Sequence, residues 1–100
     1  MPAILTDYHV KDYNKWLELY QEYEPMRREA GITKTSIWTA AEDPNHLYVL
    51  MECRDVKKAH EMWSDPKMKD LPRQAGVVGE AVVTVLNEGA TKPRQAGQRA

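Results

Sequence analysis

A chain of 100 residues is one domain's worth of sequence, and at this size folding removes only ~60–70% of the unfolded chain's surface from water, so the core is small and self-association would enlarge it. Its 14 Lys and Arg balance 15 Asp and Glu without any basic stripe interleaved with aromatics, which excludes the footprint of a nucleic-acid binder and does not favour an acidic partner. Cys53 is the only cysteine, so no intrachain disulfide or cysteine-based zinc cluster can form, and no apolar run approaches the ~20 residues of a membrane span.

AILTDYHV at 3–10 is rich in β-formers and predicts a strand, with Asp12 as N-cap of a helix from Tyr13 onward. The opening residues carry no charged segment followed by a long apolar run, so a cytoplasmic, membrane-free protein is expected. Tyr13, Trp16, Leu17 and Tyr20 recur at i, i+3, i+4 and i+7, the stripe of an amphipathic helix. Pro25 should kink or restart this helix, and Gly31 is placed to end it. ITKTSIWTA is β-branched and alternating, AEDPN has turn chemistry, and HLYVLMEC is a nearly continuous apolar run suited to a central strand. Asp55 then caps a second helix with an expected inward stripe of Val56, Ala59, His60 and Trp63. Asp65 and Pro66 start one further short helix through Met68, Leu71 and Ala75, ending at Gly76. GEAVVTVLNE reads as a fourth strand.

The order β α β β α β predicts a ferredoxin-like α+β domain over 1–88, an antiparallel four-stranded sheet with the helices on one face, followed by a disordered polar tail over 89–100. The first and third strands should be central and side by side, and this one pair is expected to run parallel. Tyr48, Leu50, Thr35, Ile37, Val83 and Val85 supply more apolar strand surface than one helix layer covers, so a homodimer joined through its sheet faces is expected.

HVKDYNKWLELYQEYEPMRREAG, EDPNHLYVLMECRDVKKAHEMWSDPKM and QAGVVGEAVVTVL together resemble the small dimeric α+β barrel proteins of the antibiotic-biosynthesis-monooxygenase superfamily, in particular members with a V-x-D-Y-x-x-W opening and a closing A-G-V-x-G. The resemblance covers most of residues 3–88. It implies the barrel fold, and it leaves several activities open, since such scaffolds serve cofactor-free monooxygenases, haem-degrading enzymes, polyketide cyclases and proteins without a known role. Relatives of this kind often carry a histidine two positions before the valine of the opening motif; this chain has Tyr8 there and His9 one position later.

Two groups of residues are candidates for chemistry. Aligning VKD at 10–12 with CRD at 53–55 makes His9 the counterpart of Glu52, and on adjacent parallel strands about 4.8 Å apart the pair would meet, either as a carboxylate-oriented base or as a solvated rim pair. His60, near the start of the second helix, should lie close to Tyr8 among Trp16, Tyr20 and Trp63. There it either takes a proton from a stacked aromatic substrate or merely bonds a backbone carbonyl beside core aromatics. One of Arg27 and Arg28 could close over an anionic ligand, although both could equally form a solvated face. Trp38 reads as packing, and the scattered histidines do not make a metal site. The expected function is a small-molecule-binding protein, in its sharpest form a cofactor-independent monooxygenase acting on an aromatic or polyketide-like substrate, with no cofactor and with His60 or His9 as base. The alternatives are a non-catalytic binding or sensing module, a cyclase or isomerase, and a haem protein with a helix histidine as axial ligand.

Overall fold

Helix starts follow the aspartates. In the computed structural model, which describes residues 1–88, β1 (Ala3–Val10) leads to Asp12, whose carboxylate accepts from the backbone N–H of Asn14 and Lys15 at 3.0 and 3.3 Å and so caps α1 (Tyr13–Glu22). Pro25 lacks the N–H that the α1 ladder would need, so the chain breaks at Tyr23 and restarts as α2 (Glu24–Glu29). Gly31, at φ 85°, ends it in the left-handed region that favours glycine and passes the chain to β2 (Ile32–Ala40). A short turn at Ala41 and Glu42 reverses the chain into β3 (Asp43–Cys53).

Asp55 caps α3 (Val56–Ser64) through Lys57 N–H at 2.9 Å, and Asp65 caps α4 (Pro66–Lys69) through Lys67 N–H at 2.8 Å. The single helix expected from Pro66 to Ala75 is instead two one-turn helices, because Pro72 removes another donor and the chain restarts as α5 (Leu71–Gln74). β4 (Val77–Leu86) completes the domain. The expected tail over 89–100 lies outside the described residues.

The four strands form one sheet in the order β2-β3-β1-β4, and every neighbouring pair is antiparallel. This is the ferredoxin-like α+β fold. The expected parallel pairing of the two central strands is therefore corrected: β1 and β3 run antiparallel. The reason lies in the connections. A helical crossover returns β2 in the same direction as β1, and the tight turn then reverses the chain, so β3, inserted between them, must oppose both.

Register divides the residues between the two faces. Ile4, Leu47, Val49, Met51 and Cys53 lie under the helices with Trp16, Ala59, Met62 and Met68, and form the core. Thr35, Ile37, Val83 and Val85 share this helix-side face through their pairings with Met51, Val49, Thr6 and Ile4, whereas Tyr48 and Leu50 lie on the opposite face. The six apolar strand residues expected on one open surface are thus split between two. Pairing sets Trp38, Tyr48, Asp7 and Val82 in one row across all four strands of that opposite face, and Ser36, Leu50, Leu5 and Thr84 in the next. No described helix covers these rows, and Trp38 and Val82 stay 66% and 60% exposed.

β4 departs from regular pairing once. Asp7 faces Val82 and His9 faces Val78, so three residues of β4, Gly79, Glu80 and Ala81, stand opposite Tyr8 alone. Gly79, at φ 73°, makes this bulge possible. Among the described residues no helix is long and apolar enough to cross a membrane.

Candidate functional site

The helix layer does not close on the sheet over its whole length. Between them lies a cavity of about 440 Å³, within the size range of small-molecule sites. Its floor is the helix-side face of β1, β3 and β4, from Thr6, Tyr8, Val49, Met51 and Val83. Trp16 and Tyr20 of α1 with Arg27 of α2 form one wall, and His60, Met62 and Trp63 of α3 with Met68 and Leu71 form the other.

The first wall is an aromatic stack set by helical spacing. Trp16, 3% exposed, meets Tyr8 edge-on at 6.1 Å between ring centroids and stacks on Tyr20 at 4.8 Å. The guanidinium of Arg27 lies over the Tyr20 ring, 3.6 Å from its centroid, and its Nη1 donates to the Tyr20 carbonyl at 2.7 Å. Burial pushes the Tyr8 phenol well above the usual tyrosine range and raises that of Tyr20 as well, so both rings present neutral O–H groups. The Tyr20 hydroxyl is itself buried without a hydrogen-bond partner, although the Thr35 side chain lies near enough to counter part of its shift.

Arg27 is 7% exposed, and among the described residues it has no carboxylate partner. Glu24, which acts on it through space, is paired with Arg28 at 2.9 Å instead. Burial lowers the pKa of this guanidinium, with Tyr20 and Glu24 opposing the shift, but an arginine remains a cation. Of the two arginines flagged in the sequence, Arg28 is the solvated one and Arg27 faces the cavity.

On the other wall, α3 is rotated relative to the expected stripe. Ala59 and Met62 are buried, Trp63 is half-buried, and His60 is exposed at the cavity mouth. Its backbone carbonyl accepts from the Ser64 hydroxyl at 3.1 Å. Among the expected site residues, Tyr8, Trp16, Tyr20, His60 and Trp63 thus line a single cavity.

His9 and Glu52 do not join them, nor do they meet each other. His9 pairs with His46, and Glu52 with Ala3, at opposite ends of the bare face. Six steps along β3, from His46 to Glu52, separate the two sites, about 20 Å at ~3.4 Å per residue. The cause is the antiparallel pairing, which sends positions related by the internal repeat to opposite ends. His9 instead stacks on His46 at 4.0 Å, and His46 Nε2 lies 2.6 Å from Asp7 Oδ1. Sequence reasoning missed this Asp7–His46 contact; only the correct register could have revealed it.

Among the described residues no group of three or more His, Cys, Asp or Glu side chains is arranged to hold a metal ion. Cys53 is fully buried and burial pushes its thiol up, which makes it a poor nucleophile. The chemistry available in the cavity is therefore a cation, two neutral phenols, an imidazole at the mouth and large aromatic surfaces.

No family model matches the sequence, and no curated protein matches it. Solved structures do match by shape. SnoaB, a cofactor-independent oxygenase from Streptomyces nogalater, superposes with a TM-score of 0.74 at 8% identity, over 93% of this chain and 97% of its own. An antibiotic biosynthesis monooxygenase gives 0.70 at 16% identity over 90% and 100% of the two chains. Rv0793 of Mycobacterium tuberculosis gives 0.65 at 18% over 92% and 98%. At these identities the likeness speaks to architecture, and the chain has the ferredoxin-like fold of the antibiotic biosynthesis monooxygenase structures.

Proposed function

We propose that the protein binds a small aromatic or polyketide-like molecule in the cavity between its helices and sheet, and oxygenates it without a cofactor. The observation that carries this reading is the cavity itself: it is lined by the rings of Tyr8, Trp16, Tyr20 and Trp63 together with aliphatic side chains, and Arg27 and His60 border it as well. The shared architecture with a cofactor-independent oxygenase adds support.

In this reading His60 is the base. Its neutral imidazole takes a proton from an acidic CH₂ of the substrate, and the resulting carbanion, flanked by a carbonyl or aromatic ring, passes an electron to O₂. Recombination of the radical pair and return of the proton give a hydroperoxide. Loss of water leaves a carbonyl, so that one CH₂ and one O₂ become one C=O and one H₂O. Tyr8 and Tyr20, held neutral by burial, donate hydrogen bonds to the enolate oxygen, while Trp16 and Trp63 stack on the rings and keep water away. Two copies joined through the bare sheet faces would cover the rows that contain Trp38 and Leu50.

The test is oxygen uptake by metal- and flavin-free protein with anthrone, whose doubly benzylic CH₂ is acidified by the ring carbonyl. Uptake above the uncatalysed rate that falls at least tenfold in His60→Ala is expected; uptake indistinguishable from buffer overturns the enzymatic reading for this substrate class. Binding without turnover is the second reading, favoured by the exposed position of His60, whose ring has no hydrogen-bond partner among the described residues to orient it. Saturable calorimetric binding of anthrone with no oxygen uptake selects it.

A further inference from the structure

We propose that the cavity selects an aromatic ligand bearing a carboxylate, and that Arg27 is the residue that recognises it. The inference rests on the reading of the cavity as a ligand site and does not depend on turnover.

A buried cation normally has an anion beside it, because desolvating a charge without a partner is costly. Arg27 breaks that rule. It is nine-tenths buried and borders the cavity, yet among the described residues the one carboxylate acting on it through space, Glu24, is held by the exposed Arg28. The contacts that Arg27 does make fix its position without neutralising it. One face lies on the Tyr20 ring, and Nη1 is taken by the Tyr20 carbonyl. This leaves the edge formed by Nε and Nη2, two parallel N–H donors with the spacing of a carboxylate's oxygens. The ring that Arg27 covers carries a buried hydroxyl, that of Tyr20, which also lacks a hydrogen-bond partner among the described residues. A ligand carboxylate on that edge would supply the missing negative charge, and its aromatic body would extend toward Trp16 and the apolar floor. Lysine at this position would give a charge without the fork, so the geometry favours a planar acid over a diffuse anion.

The test is isothermal calorimetry at neutral pH with 2-naphthoate and 2-naphthamide, which share shape and differ in charge. Wild-type protein should bind the acid ten- to a hundredfold more tightly, and Arg27→Met should abolish that preference while still binding the amide. Arg27→Lys should recover only part of it. Thermal melts give a readout independent of binding: with a charge held for a ligand, Arg27→Met should melt at or above the wild-type temperature, and naphthoate should raise the wild-type melt but not that of the variant. If Arg27→Met does not fold, the acid-to-amide ratio on wild-type protein decides alone. Equal affinity for acid and amide overturns the carboxylate assignment and leaves the cavity reading standing. Failure of both to bind at millimolar concentration overturns the two together.

Discussion

Met62 and His60 are two residues apart on α3, and replacing each with alanine separates the core side of that helix from its cavity mouth. Met62 is 7% exposed and belongs to the core cluster, so its truncation removes buried contacts. Buried Met→Ala substitutions cost about 2 to 5 kcal/mol, and the lower part of that range applies because Met62 borders a cavity and so has fewer packing contacts to lose. A cost of about 2 to 3 kcal/mol corresponds to a Tm fall of about 10 to 20 °C for a domain of this size. His60 is exposed and its ring makes no hydrogen bond among the described residues, so His60→Ala should stay within about 0.5 kcal/mol of wild type, with alanine's better helix propensity offsetting the lost contacts. Urea denaturation and thermal melts at one fixed protein concentration measure both, since association would make Tm concentration-dependent. Equal losses in the two variants would refute the helix rotation and, with it, the placement of His60 at a cavity mouth.

Sedimentation at micromolar concentration should show a dimer, and Val82→Lys on the bare sheet face should shift it to monomer; a wild-type monomer would remove the sheet-to-sheet association. Haem titration should give no saturable one-to-one Soret shift, and a shift lost in His60→Ala would revive the haem alternative. The buried phenols of Tyr8 and Tyr20 have raised folded-state pKa values, so the stability they contribute is fully present below about pH 10, where unfolded tyrosine ionises, and is lost as pH climbs toward the folded values. A late phase of phenolate absorbance, absent from the Tyr8→Phe, Tyr20→Phe double variant, is the corresponding signal, and an unchanged late phase would contradict it. Tyr20→Phe alone should be neutral or stabilising by up to about 1 kcal/mol, because it removes a buried hydroxyl without a partner; a loss of more than that would mean the hydroxyl is satisfied.

Local signals carried the elements, and long-range pairing decided where the reading failed. Asp12, Asp55 and Asp65 cap α1, α3 and α4, and Gly31 and Gly76 stand at positive φ after α2 and α5, because capping and left-handed turns depend on a few adjacent residues. The aromatic stripe of α1 was also legible, since its bulky rings, Tyr13, Trp16 and Tyr20, recur at helical spacing. On α3 two stripes compete: Val56, Ala59, His60 and Trp63 fit the helical period as well as Val56, Ala59, Met62 and Trp63 do. Only contact with the sheet distinguishes them, and it selects Met62. The His9–Glu52 pairing failed for a different reason. Similarity between the two halves of the chain does not imply nearness: strand direction, fixed by the β2–β3 turn, places the two residues at opposite ends. Arg27 was visible only as one of two adjacent arginines, because nothing local says which of them faces inward.

The bulge at Gly79 to Ala81 has an arithmetic consequence for how this scaffold varies. It adds two residues to β4, an even number, so the strand keeps its inside-outside alternation on both sides of the irregularity: Val77 before it and Val83 after it both turn toward the helices. A single inserted or deleted residue there would flip every later side chain of the strand to the other face. Length changes in steps of two would instead move the cavity floor beside Tyr8 and leave the rest of the sheet intact, so ligand size can drift at this edge without the fold having to be solved again.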